Sequence, residues 1–326
     1  MSGNSFEKID YRLRPAKAVE RKMISFAMQK LNSFCELSKY QYIGFGSTSF
    51  QDHILFHRDL GITKLISIEK SGKKERFNFN KPFHCIEIEF GQSTDILPNV
   101  NWKDRTILWL DYDGKINSNC LSDVRTFFTS ALSGSVFILT INADAKAYGE
   151  NNEIREENIG SLIGENRLPI PNKPINYSAV NLHSTLKRVF DTEINSAISI
   201  RNGGLNDKDK ISYKPLFNFK YADGANMLTI GGLLINNSDL AQYNKANFNE
   251  LSFVKTNNDI FKISIPSLTL KEIRFLNSQL PTGIDDEGIF VDAVLESNDP
   301  CLSKEDIIKY SKIYNYFPVF TESLVF

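Results

Sequence analysis

A chain of 326 residues, 41% hydrophobic and 24% charged, has apolar surface for a sizeable core in one large domain or two ordinary ones, and is too apolar to be disordered. A formal net charge of -1 excludes a molecule built as a whole to grip nucleic acid. The four cysteines (Cys35, Cys85, Cys120, Cys301) are scattered without CxxC spacing and only four histidines are present, which argues against a zinc site or a disulfide framework.

The first residues, MSGNSFEKIDYRLRP, contain no apolar signal core, and no stretch reaches the roughly 18 apolar residues of a membrane span, so a cytoplasmic protein with no membrane contact is expected. Lys8, Arg12, Arg14, Lys17, Arg21 and Lys22, interrupted by Glu7, Asp10 and Glu20, read as a solvated helix face and leave local nucleic-acid contact open. Residues 15–37 place Ile24, Met28 and Leu31 on one helical face, with Pro15 at the start. YQYIGFG (40–46) reads as a strand stopped by glycine, and SFQDHILFHRDLG (49–61) as a helix capped by Gly61. TKLISIE (63–69) and HCIEIEFG (84–91) are the next strands, followed by RTILWLDYDG (105–114), which is nearly continuous in apolar residues and ends in acids. A helix over 121–132 and a strand over 134–143 complete the alternation.

The strands at 106–111 and 135–142 are apolar on both faces, the pattern of a parallel sheet covered by helices. The expected class is α/β and Rossmann-like: a mostly parallel central sheet with helices on both faces. Residues 147–178 are polar and rich in Gly, Pro and Asn, and read as a loop, an insertion or a lid. A helix is expected over 179–200, and an antiparallel hairpin over 213–235 turning at Asp223-Gly224. Further helices are expected over 267–280, capped by Ser267 or Thr269, and over 303–317, capped by Ser303 with Asp306 completing a capping box. The organisation expected is a nucleotide-binding core over 1–145, continuous with a region over 146–326 that holds the lid or insertion, the remaining strands and the C-terminal helices.

Ligands of such sheets sit at the carboxyl ends of the strands near the switch in strand order, so the residues after each strand carry the candidates. Gly44 and Gly46 would let backbone approach a ligand ahead of a helix N-terminus, but Ser49 stands where G-x-G-x-x-G has its third glycine, and a plain strand-end bend fits the two glycines equally. Glu69, 23 positions beyond Gly46, suits an acceptor for two ribose hydroxyls, or a surface acid beside Lys70. Gln92, Ser93 and Asp95 stand where an adenine amino group would find partners, or form a helix cap. Asp111 and Asp113, at i and i+2, can face one way to take a proton, bind an amine or share a magnesium; a tight turn at Asp113-Gly114 is the plainer reading. His53 and His57 are four apart on a helix, with no third ligand in view, so no metal is expected.

In this order the motifs resemble those of class I S-adenosylmethionine-dependent methyltransferases. YIGFGSTSF resembles the glycine loop under the methionine part of the cofactor, with Gly44, Gly46 and Ser47. Glu69 resembles the acid that holds the ribose, and GQS, with Gln92 and Ser93, the adenine-side segment. LDYDG, with Asp111 and Asp113, resembles the motif whose acid borders the transferred methyl. The resemblance covers roughly residues 15 to 145. It implies a seven-stranded sheet, S-adenosylmethionine as cofactor, and methyl transfer to an acceptor the sequence does not name, oriented or deprotonated by Asp111 or Asp113. Two departures stand out: Tyr42-Ile43 replace the acid that usually precedes the glycines, and the fourth motif is not the N/D-P-P-Y/F of enzymes that methylate DNA amino groups. Tyr221, Asp223 and Asn226 are candidate acceptor contacts or simply the hairpin turn. The chain also resembles bacterial O-methyltransferase-like proteins, some of whose relatives sit among anti-phage genes. The departures in the first motif and the large polar second half favour an alternative, a catalytically silent nucleotide-binding or assembly subunit that works through a protein partner. A nicotinamide oxidoreductase is disfavoured by the incomplete glycine fingerprint.

Overall fold

The computed structural model describes residues 14–70, 72–168, 176–281 and 302–318. Cys301, the residues before Arg14 and part of the 147–178 segment lie outside them. Among the described residues eight strands form one sheet: β1 Gln41–Gly44, β2 Lys64–Glu69, β3 Ile86–Phe90, β4 Thr106–Asp111, β5 Ser135–Asn142, β6 Ile211–Ala222, β7 Asn226–Asn236 and β8 Phe261–Lys262. Their order is β3-β2-β1-β4-β5-β7-β6-β8. The pairs β1–β2, β2–β3, β1–β4 and β4–β5 are parallel, while β7 runs antiparallel to β5 and to β6. This is the Rossmann-like arrangement with a late antiparallel hairpin, and β8, parallel to β6, makes it eight-stranded rather than seven.

The helices of the described residues are α1 Pro15–Met28, α2 Gln51–Leu60, α3 Lys74–Asn80, α4 Ser93–Ile96, α5 Ser118–Ser130, α6 Ala145–Tyr148, α7 Asn152–Ile163, α8 Leu182–Asn202, α9 Leu240–Ala246, α10 Leu270–Gln279 and α11 Lys304–Ile313. Apolar residues of α1 and α2 (Val19, Met23, Phe56, Leu60) join one core with Trp109 and Ile138 of the sheet. On the other face Phe127 and Phe128 of α5 and Leu186 and Phe190 of α8 join a second core with Leu108 and Leu139. Covered on both sides, β5 is buried from Ser135 to Ile141. The edge strand β3 instead alternates, with Glu87 and Glu89 outward.

Local signals hold where they are chemically specific. Gly61 ends α2 in the left-handed conformation (φ 68°). Thr269, not Ser267, caps α10 and forms a capping box with Glu272; Ser303 caps α11 by accepting from the Asp306 amide. The hairpin turns through Asp223-Gly224-Ala225, with Gly224 at φ 99°.

Within residues 147–178, read from sequence as a loop, an insertion or a lid, α7 occupies 152–163. Asn151 caps this helix through the Ile154 amide, and its buried face is short, with Ile159, Gly160 and Ile163 beyond Arg155. The Arg155 guanidinium, 8% exposed, donates to the carbonyls of Ala145, Gly149, Glu150 and Tyr177 at 2.9–3.3 Å. A helix held by one cation on backbone carbonyls shows almost no apolar periodicity in sequence.

Candidate functional site

The strand order changes direction between β1 and β4, and a cavity of about 370 Å³ opens there at the carboxyl ends of β1, β2, β3 and β4. Gly46, Ser47, Glu69, Gln92, Ser93, Asp111 and Asp113, all candidates from sequence, line it. Gly44 does not. It closes β1 behind the cavity, where an added Cβ would meet the Trp109 carbonyl at 3.0 Å.

The glycine turn is built for close approach rather than for unusual dihedrals. Its left-handed residues are Ser47 (φ 52°) and Phe50 (φ 47°), which leads into α2. Gly46 is glycine because a Cβ there would run into the Ser67 hydroxyl and come within 2.7 Å of the Phe50 ring. The Gly46 amide donates to Glu69 Oε1 at 2.9 Å and to Ser67 Oγ at 3.1 Å, and the Ser67 hydroxyl donates to the same Glu69 oxygen at 2.8 Å. One carboxylate thus ties the end of β2 to the turn after β1. Burial pushes Glu69 up to about 7, against the Ser67 hydroxyl and the Gly46 and Ser47 amides, which favour its ionised form. Replacing Gly46 by Ala is expected to cost about 1–3 kcal/mol by overpacking. It should also pull the Gly46 amide off Glu69, and urea unfolding together with ligand titration measures both effects.

On the β3 side, Ser93 is committed to a buried carboxylate. Its hydroxyl and that of Tyr112 both donate to Asp123 Oδ2, on α5. Burial raises Asp123 above the usual carboxylate range, against those two donors. Tyr112 stands edge-on to Phe45 with ring centroids 5.1 Å apart, an aromatic wall between the ends of β1 and β4.

Lys17, Glu20 and Arg21 of α1 are not a solvated face, while Lys22 is exposed. The Lys17 ammonium lies 2.7 Å from Glu20 Oε2 and 2.9 Å from Asp111 Oδ1, with no exposure of the Lys17 or Glu20 side chain and 13% at Asp111. It also sits 4.5 Å from the centre of the Trp109 ring and donates to the Tyr221 hydroxyl at 3.3 Å. Thr229 donates to Glu20, and Thr229 meets Thr140 at 2.7 Å, so a polar chain crosses β7 and β5 beneath the helix. Burial raises Glu20 despite the pull of Lys17. One turn along, Arg21 Nε donates to Asp52 Oδ1 at 2.6 Å, and both residues line the cavity. Burial works upward on Asp52, but Arg21 holds it below the usual carboxylate range.

The hairpin residues serve the same helix. Asp223 accepts from the Ala16 and Lys17 amides at 3.2 and 2.8 Å, giving α1 a carboxylate at its N-terminus that its own cap position, Arg14, does not provide. Asn226 meets Asp144 at 3.4 Å. His53 and His57 bond to the carbonyls of Ile66 and Ile62. Among the described residues no group of His, Cys, Asp or Glu has metal-ligating geometry.

A family model described as "Putative O-methyltransferase" matches residues 9–325. The chain belongs to that family. Comparison with curated protein sequences gives no match. Among solved structures, the O-methyltransferase family member is similar to an SAH-bound methyltransferase of Podospora anserina at 11% identity and TM-score 0.35, over 70% of this chain and 82% of that one. It is also similar to human N-acetylserotonin methyltransferase in complex with SAM, at 10% identity and TM-score 0.31 over 64% of this chain, and spans 51% of the human enzyme. An rRNA methylase from Streptococcus thermophilus is 7% identical with TM-score 0.34, over 64% of this chain and 95% of that one. Likenesses this loose concern the general fold only.

Proposed function

We propose that the chain is an S-adenosylmethionine-dependent methyltransferase whose acceptor presents an oxygen nucleophile. The observation that carries this reading is Glu69: an acid at the end of β2 that grips the glycine turn after β1, on the wall of a cavity bounded by Asp111. The cavity volume falls within the range that encloses small-molecule ligands. The donor set also suits the cofactor: Glu69 for the ribose hydroxyls, Gln92 and the Phe45–Tyr112 wall for the adenine, and the Arg21–Asp52 pair for the methionine carboxylate and ammonium. That pair stands in for the acid missing ahead of Gly44. When bound, the cofactor supplies a sulfonium methyl open to in-line displacement. Asp111, held on one oxygen by Lys17, orients the acceptor, and Asp113 at the mouth of the cavity accepts its proton. The described residues of 147–168 and 176–178 do not line this cavity, and we place no lid function on them. Calorimetric titration with S-adenosylmethionine and with S-adenosylhomocysteine tests the assignment. Micromolar binding is expected, and no heat up to about millimolar ligand would sink it.

The ionisation of Glu69 makes a second test. Ribose hydroxyls donate to a carboxylate, so the cofactor binds the ionised form. With Glu69 near 7 in the free protein, about a tenth of the molecules are ionised at pH 6 and about nine tenths at pH 8. Affinity is therefore expected to rise about tenfold from pH 6 to pH 8, with proton release on binding visible as a buffer-dependent heat. The effect on folding has the opposite sign. A carboxyl raised in the folded state contributes stability that is complete below its unfolded value of about 4.5 and is lost as pH rises through about 7.

One observation favours the alternative of a catalytically silent nucleotide-binding or assembly subunit, cytoplasmic and of the kind found in bacterial antiviral defence: Asp111 spends a carboxylate oxygen on Lys17. That reading expects cofactor binding without turnover to S-adenosylhomocysteine under any acceptor, and a protein partner retained through purification. No described helix is long and apolar enough to cross a membrane.

A further inference from the structure

Residues 70–84, which join β2 to β3 through α3, carry five cations (Lys70, Lys73, Lys74, Arg76 and Lys81) against one acid, Glu75, a net +4 in a chain whose net charge is -1. All five are exposed except Lys81, which is half-buried. Among the described residues Lys70, Lys74 and Lys81 pair with no carboxylate. Phe77 is fully buried and fixes α3 to the sheet, its ring centroid 6.2 Å from that of Phe90. Phe79 is two positions on, so it points from the opposite side of the helix, and it is 89% exposed. The acids of the neighbouring edge strand stand apart from this surface. Ile86, Ile88 and Phe90 pack on the core that holds Phe77, so Glu87 and Glu89 point from the other face of β3.

A lone exposed ring is ordinary on a protein surface; a ring set among cations has the makeup of a platform on which bases stack while the backbone meets charge. An anionic membrane fits less well, because Phe79 is the one exposed large apolar residue among the described residues of the segment, where an interfacial helix presents a whole apolar face. An acidic peptide offers charge to the lysines and nothing flat to the ring. A duplex hides its base faces, so the partner is single-stranded. Asn80 turns its amide nitrogen to the Arg76 carbonyl at 2.7 Å, which leaves its oxygen as an acceptor for a hydroxyl such as the ribose 2′-OH. We propose that the crossover from β2 to β3 is a docking surface for single-stranded RNA, whose phosphates meet Lys70, Lys74 and Lys81 while a base stacks on Phe79. The surface reaches the cavity at the strand ends: Lys70 lines it, and the Lys74 ammonium lies 5.2 Å from the centre of the Phe90 ring, one residue before Gly91 of the lining. The strand order sets β2 and β3 on the far side of β1 from β4 and Asp111, so docking here does not depend on methyl transfer.

Fluorescence anisotropy of a labelled oligouridylate of about 20 nucleotides, titrated with the full chain, tests this. Binding with a Kd of about 10 μM is expected at about 50 mM salt. Log affinity should fall against log salt with a slope of about -2, the value for three phosphates met by three lysines, and Lys70→Gln with Lys74→Gln should bring it to about -0.7. Phe79→Ala, at an exposed helical position that packs on nothing, should weaken RNA binding about tenfold and leave S-adenosylmethionine affinity unchanged. Oligothymidylate of the same length, which lacks the 2′-hydroxyl, should bind about threefold more weakly. No binding up to about 100 μM chain, Phe79→Ala within about twofold of the parent, or an unchanged salt slope in the double lysine variant would each overturn the proposal. Equal affinity for oligothymidylate, or tighter binding of polyglutamate or of phosphatidylserine vesicles, would overturn it in favour of a different partner. Failure of S-adenosylmethionine to bind would leave the RNA readouts untouched.

Discussion

Glu69→Ala is expected to weaken S-adenosylmethionine binding about 100-fold. Two hydroxyl donors to a carboxylate are each worth about 1.5–3 kcal/mol, and together they exceed the 2.7 kcal/mol that separates such affinities. The substitution also removes the acceptor for the Gly46 amide and the Ser67 hydroxyl, so the turn that should lie under the cofactor loses its clamp. Glu69→Gln separates the two effects. Its amide oxygen still accepts from Gly46, while its nitrogen faces a ribose hydroxyl with a donor. Calorimetry on the three proteins decides: affinity within threefold of the parent in Glu69→Ala removes Glu69 from the site. If Glu69→Gln binds like the parent, the carboxylate charge is irrelevant and the pH dependence should vanish with it.

Lys17→Met is expected to destabilise the fold by about 3–5 kcal/mol, the usual cost of leaving a buried charge without its partner. Lys17 is the cation between two carboxylates, and the Glu20 side chain has no solvent exposure. The apolar methionine chain fills a comparable volume beside Trp109, so lost packing contributes little. Adding Glu20→Leu should recover much of the loss, because an apolar pair of similar volume often matches a buried ion pair. Urea midpoints at constant slope give the numbers. A single variant within 1 kcal/mol of the parent would mean that Glu20 takes up a proton at little cost and that the ammonium matters chiefly to Asp111. In that case activity, rather than stability, should respond.

The site was legible in sequence only in part. The strand-end candidates came from a general property of parallel sheets, whose loops at the carboxyl edge converge, so Gly46, Glu69, Ser93 and Asp111 could be named from position alone. In sequence Lys17, Glu20 and Arg21 read as a solvated face, although a contrary signal is present. Continuing the Ile24–Met28–Leu31 stripe backwards by helical steps lands on Glu20 and Lys17, charges on a core-facing row. Ser93 also illustrates the limit. Its place at the cavity follows from sequence, but its hydroxyl is spent on Asp123, which lies 30 positions away on α5.

What the sequence determined by itself is what short-range physics encodes. Unbroken apolar runs made β4 and β5 interior strands, glycines marked tight turns, and hydroxyl residues capped α10 and α11. Tertiary structure alone decided the partners of the charges. Asp223 caps a helix 206 positions away, Lys17 reaches across to Asp111, and Arg155 holds the backbone around α7. Charged side chains are long and their partners are chosen by whichever elements fold together, so their roles leave no period in the chain. The hydrophobic pattern is periodic because burial acts on every residue of an element at once.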